Sequence, residues 1–404
     1  MEIKDLDFTS KKVLLRVDFN VPLDKEHNIT DDTRIKEAIP TIRYILNQKD
    51  TSVILMSHLG RPLKKLLPDG SIDSTSFSLM NIVPRLTELL ETKIHFALDC
   101  IGEDARVKAD NLKAREILLL ENTRFHPEEE KGDANFSHEL ANLGDIYIND
   151  AFGAAHRAHA STCIIARFFT TDKKAFGFLM EKELLNAKRL QDNPERPYTA
   201  IVGGAKVSDK ILLLKKMISN VDNIIIGGGM AYTFFKALGY EVGNSLVEEE
   251  RIETAKEILE EAKGKIQLLL PVDSIIADSF NNEANSKIVD NDNIPKGWMG
   301  LDIGPKAIIE FTNLIESSRS VLWNGPMGVF EMSSFAKGTK SIANAVVMAT
   351  DKGAFTLIGG GDSAAAIHEL GLSDKVSFVS TGGGAMLELL EGKELPGVKA
   401  ITDM

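Results

Sequence analysis

The sequence predicts an α/β protein with doubly wound, mainly parallel sheets, and three observations point there. Short unbroken apolar runs recur along the chain, amphipathic helical stretches separate them, and a proline-marked break near the middle divides the runs into two sets. Apolar runs of four to seven residues between turn signals suit strands buried on both faces. In the first half the runs are 13–17, 52–56, 116–120 and 145–148. In the second they are 198–202, 223–226, 267–270, 320–323, 354–358 and 376–379.

Between these runs, apolar residues return at helical spacing. Ile35, Ile39, Ile42 and Leu46 share one face after the capping candidates Asp31, Asp32 and Thr33. Leu79, Ile82, Val83, Leu86 and Leu90 form a second stripe, and Val207, Ile211, Leu214 and Ile218 a third. Strand–helix–strand repetition calls for right-handed crossovers between parallel strands. Ten strands fit two sheets better than one. The expected division is a first domain at 1–177 joined by 391–404, a linker helix at 178–191, and a second domain at 192–390. The last stretch, 391–404, reads as irregular.

Bulk properties narrow the function. The 404 residues carry a formal charge of −12, which opposes a nonspecific grip on nucleic acid or an anionic membrane. Cys100 and Cys163 stand far apart, so neither a disulfide framework nor a cysteine-rich zinc site is expected. No apolar run reaches the roughly 18–20 residues that span a bilayer. The opening lacks the apolar centre of a signal peptide, and the cytoplasm is the expected compartment.

Ligands of open α/β sheets bind beyond the carboxyl ends of the strands. In the first half these ends read Asp18-Phe19-Asn20, then SHLGRP at 57–62, ENTRFH at 121–126 and NDAFGAAHRAH at 149–159. Three of the four deliver Arg and His to one sheet edge, and Arg34 opens the first helix nearby. Guanidinium forks match phosphate and carboxylate oxygens in pairs, so a small doubly anionic ligand is the natural occupant. A single loop arginine would read as a surface ion pair; the cluster is harder to dismiss. His156 and His159 lack a third ligand at metal spacing, and Arg157 between them disfavours a cation.

The second half ends its strands in glycine. The loops are GGAKVSDK at 203–210, GGGMAYTF at 227–234, WNGPMGVFE at 323–331, GGGDS at 359–363 and STGGGA at 380–385. Glycine lets backbone approach phosphate, and helix starts offer free N–H groups, so five such loops on one edge indicate a nucleotide. No GxxxxGK[ST] is present. Gly359-x-Gly361-x-x-Ala364 matches the dinucleotide fingerprint, but the next strand ends in Ser380-Thr381 without the ribose-binding acid. Asp362 inside that loop would repel a bare pyrophosphate and accept one carrying Mg2+, which favours Mg–ATP. Lys206 and Lys210 stand one turn apart at an expected helix start, against the helix dipole. Aim at a phosphate gives that placement a purpose.

Together with VLLRVDFNVP at 13–22, these loops make nine motifs whose order resembles the phosphoglycerate kinase family over most of the chain. The resemblance implies two Rossmann-like domains, each a mainly parallel sheet flanked by helices, joined by a hinge helix, with the tail returning to the first domain. It implies that Asp18, Phe19, Asn20, Arg34, His58, Leu59, Gly60, Arg61, Arg124 and Arg157 hold 3-phosphoglycerate. It further implies that Lys206, Lys210, Gly300, Glu331, Gly360, Gly361, Asp362 and Ser363 hold Mg–ATP, with Asp362 on the metal. The family precedent is a monomer acting in glycolysis and gluconeogenesis, with small-molecule substrates and neither nucleic-acid nor membrane partners. Two stretches depart from the family pattern, 63–77 after GRP and 163–169 after HRAH. Both are expected to affect loop conformation and packing only.

The expected chemistry is phosphoryl transfer between ATP and a carboxylate. A carboxylate acceptor, with a pKa of roughly 3.5, is already ionised at neutral pH and needs no general base. The reaction then needs charge neutralisation and in-line placement, for which Arg34, Lys206 and the Gly383–Gly384 helix start are the catalytic candidates. Closure about the linker helix is the expected motion. A dehydrogenase on two similar domains and a non-catalytic anion-binding protein are the rival readings; the missing ribose acid opposes the first and net charge a nucleic-acid role for the second.

Overall fold

A computed structural model describes residues 2–403, which fall into two units. One unit runs to Leu184 and takes back the chain from Glu394 onward; the other spans Leu185–Lys393. Met1 and Met404, the outer bounds of the expected domains, lie outside the described residues.

The first unit is built on β1 (Lys12–Val17), β2 (Ser52–Met56), β3 (Ile94–Phe96), β4 (Ile117–Leu119), β5 (Ile146–Asp150) and β6 (Lys174–Phe176). Their order is β3-β4-β2-β1-β5-β6 and every neighbouring pair is parallel. Successive side chains leave opposite faces of a strand, and here both faces are covered. Val13, Leu15 and Val17 enter one apolar layer with Ile35, Ile42 and Leu86 from helices. Leu14 enters the other with Tyr147, Leu118 and Ala105.

The second unit contributes β7 (Tyr198–Val202), β8 (Asn223–Ile226), β9 (Glu241–Val242), β10 (Gln267–Leu269), β11 (Asp273–Ala277) and β12 (Ser286–Asp290). After them come β13 (Asn293–Ile294), β14 (Met299–Ile303), β15 (Ser320–Asn324), β16 (Phe355–Gly359) and β17 (Phe378–Val379). The main sheet runs β10-β8-β7-β15-β16-β17, again parallel throughout. An antiparallel sheet, β12-β11-β14, and the short pair β13-β9 stand beside it.

In each main sheet the chain proceeds first to one side of a central strand and later to the other. The reversal falls between β1 and β5 in one unit and between β7 and β15 in the other. The loops leaving those four strands therefore frame a crevice in each unit, where such folds take ligands.

Several expectations are corrected. The antiparallel strands were not anticipated: β12 is almost wholly exposed, so no buried run marks it. β3 and β6 are only three residues long. β5 continues through Asn149 and Asp150, expected to follow it. The third helical stripe begins only at Ile211, in the helix Ile211–Ile218. Glu248 takes both the N–H and the hydroxyl of Ser208, at 3.0 and 2.6 Å, and Val207–Lys210 closes as a turn. Lys206 and Lys210 thus do not share a helix face.

The tail is not irregular but a helix, Pro396–Thr402. Proline at its first turn needs no helical N–H partner. Gly397 donates to Ala155 O at 2.8 Å, Lys174 Nζ donates to Ala400 O at 2.9 Å, and Ile401 joins the second apolar layer. Of the two departing stretches, 63–77 leaves Leu66 and Leu67 exposed, while 163–169 forms a short turn burying Ile165 and Ala166 under the sheet.

The helix Phe178–Asp192 leaves the first sheet at a charged joint. Met180 N–H donates to Asp150 Oδ1 at 3.1 Å, and Phe178 N–H to Thr41 Oγ1 at 3.0 Å. Burial dominates and pushes the Asp150 carboxyl up from 3.8 to about 6. A raised carboxyl pKa means that the folded state holds the proton more tightly. The Asp150 contribution to stability is therefore largest below pH 3.8 and is lost as pH rises through about 6. In urea titrations across that window, Asp150→Asn should show a shallower fall in stability with rising pH than the parent. A parallel fall in both would refute the assignment.

Candidate active site

At the edge of the first unit, the loops after β1, β2, β4 and β5 and the start of the helix Thr33–Leu46 line an arginine-rich cavity of about 340 Å³. Its wall includes Arg34, Arg61, Lys65, Arg124 and Arg157 against the single carboxylate Asp18, together with Asn20, His58, Gly60 and Phe77. After β1, Asp18 Oδ2 accepts from Arg34 Nη1 at 2.9 Å, and Asn20 Oδ1 accepts from Gly60 N–H at 2.8 Å. The first of these aims a guanidinium across the cavity mouth. The second binds the β1 loop to the β2 loop.

After β4, Asn122 fills all its hydrogen-bonding capacity within the backbone. Its Nδ2 donates to Leu59 O and Phe77 O at 2.8 and 2.9 Å, and its Oδ1 accepts from Leu59 N–H and Arg124 N–H at 3.2 and 3.0 Å. This fixes Arg124, whose Nη1 donates to Gly60 O at 2.8 Å. Arg124 Nε is 3.4 Å from Glu130 Oε1 without hydrogen-bond alignment. Burial, then the neighbouring Arg16, lowers the guanidinium pKa to about 10, which still leaves it charged at neutral pH.

Beneath the cavity lies Arg16, fully buried within β1. Its Nε donates to Ser161 Oγ at 2.7 Å; Ser161 Oγ donates to Glu129 Oε1 at 2.5 Å, and Glu129 Oε2 accepts from Ser161 N–H at 2.9 Å. Glu129 Oε1 is also 3.9 Å from Arg16 Nη2. Arg16 Nη2 meets His58 Nδ1 at 3.1 Å. Arginine only donates, so Nδ1 of His58 accepts and the ring proton sits on Nε2. Burial first, then Arg124, Arg16 and Arg34, hold His58 well below the usual imidazole range. Burial first, then Arg124, Arg16, Arg157 and His156, push His159 down to about 3. Both imidazoles are therefore neutral at physiological pH.

Two expected residues contribute differently. The Phe19 and Leu59 side chains pack in the apolar core and do not face the cavity. What Phe19 offers is backbone, its N–H donating to Ser57 Oγ at 2.8 Å. Arg16, Asn122, Glu129 and Ser161 support the cavity from beneath and lie outside the expected set of binding residues. Arg16 alone carried a legible signal, a charge inside a strand buried on both faces, which needs a partner.

At the edge of the second unit the glycine loops interlock. A Cβ on Gly203 would lie 2.2 Å from Pro326 O, and one on Gly383 would lie 2.7 Å from Gly360 Cα. The first contact joins the β7 and β15 loops across the reversal; the second joins the β16 and β17 loops. Gly325 N–H donates to Ser363 Oγ at 2.6 Å. Ser363 is fully buried, so its hydroxyl ties the β15 loop to the helix that follows β16 rather than facing outward. Gly360, at φ +95°, caps the helix Gly361–Glu369, and Gly383 with Gly384 opens the helix Gly383–Leu390. Two helix starts, with their free N–H groups, stand side by side.

Lys210 Nζ donates to Asn324 Oδ1, and burial lowers the ammonium pKa, with Asp209 and Asp362 opposing. Asn324 Nδ2 is buried without a partner, a donor left over in the mouth of the loops. Lys206 and Glu331 are exposed, as is Asp362, which lies in the first helical turn rather than in the loop. Gly300 stands apart on β14, where a Cβ would lie 1.8 Å from the Tyr232 hydroxyl and its N–H donates to Ser245 Oγ at 2.9 Å.

Comparison with known proteins agrees with this equipment. The sequence model of phosphoglycerate kinase matches residues 3–393. The cytosolic phosphoglycerate kinase of Nicotiana tabacum is 50% identical over 402 residues, covering 99% of this chain and 98% of that protein. The phosphoglycerate kinase of Prosthecochloris aestuarii is 52% identical over 402 residues, with 99% of each chain covered. Among solved structures, phosphoglycerate kinase from Coxiella burnetii superposes with a TM-score of 0.85 at 36% identity, over 100% of this chain and 98% of that one. Phosphoglycerate kinase from Pyrococcus horikoshii OT3 gives 0.83 at 30% identity, over 99% and 98%. With this similarity running the length of both units, the chain belongs to the phosphoglycerate kinase family, enzymes of glycolysis that move a phosphoryl group between ATP and 3-phosphoglycerate.

Proposed function

We propose that the arginine-lined cavity of the first unit is the acceptor site and that the glycine-lined edge of the second unit holds Mg–ATP. The observation that carries this reading is the imbalance of the first cavity: five cationic side chains face one carboxylate in about 340 Å³. Such a cavity suits a ligand of several negative charges, and 3-phosphoglycerate carries a phosphate and a carboxylate at opposite ends. Neutral His58 presents Nε2–H as a further donor without adding to the repulsion.

On the nucleotide side, the helix starts at Gly361 and Gly383 direct N–H groups and the positive dipole end toward phosphate. Lys210 and the unpartnered Asn324 Nδ2 supply donors beside them. Gly360, Gly361 and Ser363 shape the floor, Glu331 stands at the rim, and Gly300 is read as part of the same nucleotide edge. Asp362 offers the hard oxygen that Mg2+ takes, with phosphate oxygens completing the shell, so the residues fit the ion. Bound there, Mg2+ would neutralise phosphate charge.

The acceptor carboxylate attacks without deprotonation, so the work of the protein is placement and charge. Arg34, held by Asp18, and Lys206 are proposed to stabilise the transferring group, aided by the N–H groups of Gly383 and Gly384. Transfer requires the two sites to meet about the helix Phe178–Asp192, which would also exclude water. Among the described residues, no helix is long and apolar enough to cross a membrane. We place the enzyme in the cytoplasm as a monomer.

A coupled assay comparing 3-phosphoglycerate with glycerate tests the acceptor reading; equal rates would end it. Arg124→Ala should raise KM for 3-phosphoglycerate by about 10²-fold or more while KM for ATP stays put. If only the ATP constant moved, the two sites would be misassigned. Lys206→Ala should lower kcat by about 10²–10³-fold with ATP affinity nearly unchanged. A near-parental kcat would remove Lys206 from the transfer step.

A further inference from the structure

Away from both glycine loops and the arginine cavity mouth, Asp99, Cys100 and His126 bring three metal-ligating atoms within 4.8 Å of one another. Among the described residues, no other group of three or more His, Cys, Asp or Glu does so. They come from two separate places: Asp99 and Cys100 from the loop after β3, and His126 from the loop after β4. We propose that this cluster is a binding site for one soft divalent cation of the zinc type, with a carboxylate oxygen, a thiolate and an imidazole as ligands.

The donor set and its setting both argue for this. Sulfur and nitrogen with one oxygen suit Zn2+ and its tetrahedral analogues and do not suit Mg2+. The thiol end is rigid and dry: Cys100 is fully buried and belongs to the second apolar layer. The opposite end is open, the Asp99 and His126 side chains being 48% and 26% exposed. A cation can therefore enter from the solvent side, where water completes its shell. The loop geometry is also held in place. Asp99 Oδ1 accepts from Cys100 N–H and from His126 Nε2, both at 2.6 Å, and Asp104 Oδ2 accepts from Leu98 N–H at 2.7 Å. The ring of His126 rests against Phe136, 5.2 Å between centroids.

Without a cation, His126 and Asp99 satisfy each other as a hydrogen-bonded pair. The cation displaces the thiol proton, which passes to buffer, and His126 ligates as a neutral imidazole through Nε2 with its ring proton on Nδ1. The thiolate and the Asp99 carboxylate together match the two charges of the ion. Asp99 Oδ1 and His126 Nε2 must part from 2.6 Å to the wider spacing of two ligands on one ion. Both side chains are partly exposed, so they can move without disturbing the core.

The site touches the rest of the enzyme through His126. It is the residue before the helix Pro127–Lys131, which carries Glu129, and it follows Arg124 by two positions. Occupancy would therefore pin the segment between the two.

The experiment is a titration of the nucleotide-free, full-length protein with Co2+, read by absorption. One equivalent should produce the sulfur-to-cobalt charge-transfer band in the near ultraviolet, and one equivalent of Zn2+ should bleach it. Cys163→Ser should leave the band intact. Cys100→Ala should abolish it, and His126→Gln, at a partly exposed position and with the thiol kept, should weaken Co2+ binding by more than about tenfold. The proposal is overturned if the folded parent protein gives no band at saturating Co2+, or if the band survives Cys100→Ala and disappears with Cys163→Ser.

Discussion

Everything at the edge of the first unit depends on keeping like charges close together in the absence of the ligand that would neutralise them. Four guanidiniums and a lysine line one small cavity, and a fifth guanidinium, Arg16, lies buried below. The repulsion is contained in two ways. Glu129, through Ser161, gives Arg16 an internal partner, and His58 and His159 remain neutral. Breaking a buried pair by removing one partner typically costs about 3–5 kcal/mol, because the other charge is left stranded. The Arg16 network is thus a foundation for the cavity, and the remaining arginines can be aimed outward at a substrate.

The second unit solves the opposite problem. It must bring polar backbone close to phosphate, so its loops dispense with side chains where they cross. Gly203 against Pro326, and Gly383 against Gly360, are contacts that any Cβ would push apart. Ser363 then fastens the β15 loop with its hydroxyl. The result is a surface whose donors are set by backbone geometry and hence need no reorganisation when charge moves during transfer.

Both edges rest on the same topological fact. Parallel strands ordered so that the chain reverses direction across the sheet leave a crevice at the reversal, and the specialised loops of each unit lie at it and along the same sheet edge. Antiparallel β11, β12 and β14 lie outside that arrangement. They supply β14 and its Gly300, a glycine demanded by the Tyr232 hydroxyl beside it.

Read alone, the sequence determined most strands of the two main sheets, the division into two sheets, and which residue types gather at each edge. Those features are written in local patterns: unbroken apolar runs, arginine and histidine after one set of strands, glycine after the other. Tertiary structure decided what depends on distant partners. Glu248, 40 residues away, takes the Ser208 donors at the turn before the Ile211 helix, and Ala155 and Lys174 hold the tail as a helix. Phe19 and Leu59 turned out to face the core because strand pleat and crossover position, not residue type, choose the direction of a side chain. Arg16 was visible as an anomaly, but its partners Ser161 and Glu129 lie 145 and 113 positions on, and only the folded sheet brings them together.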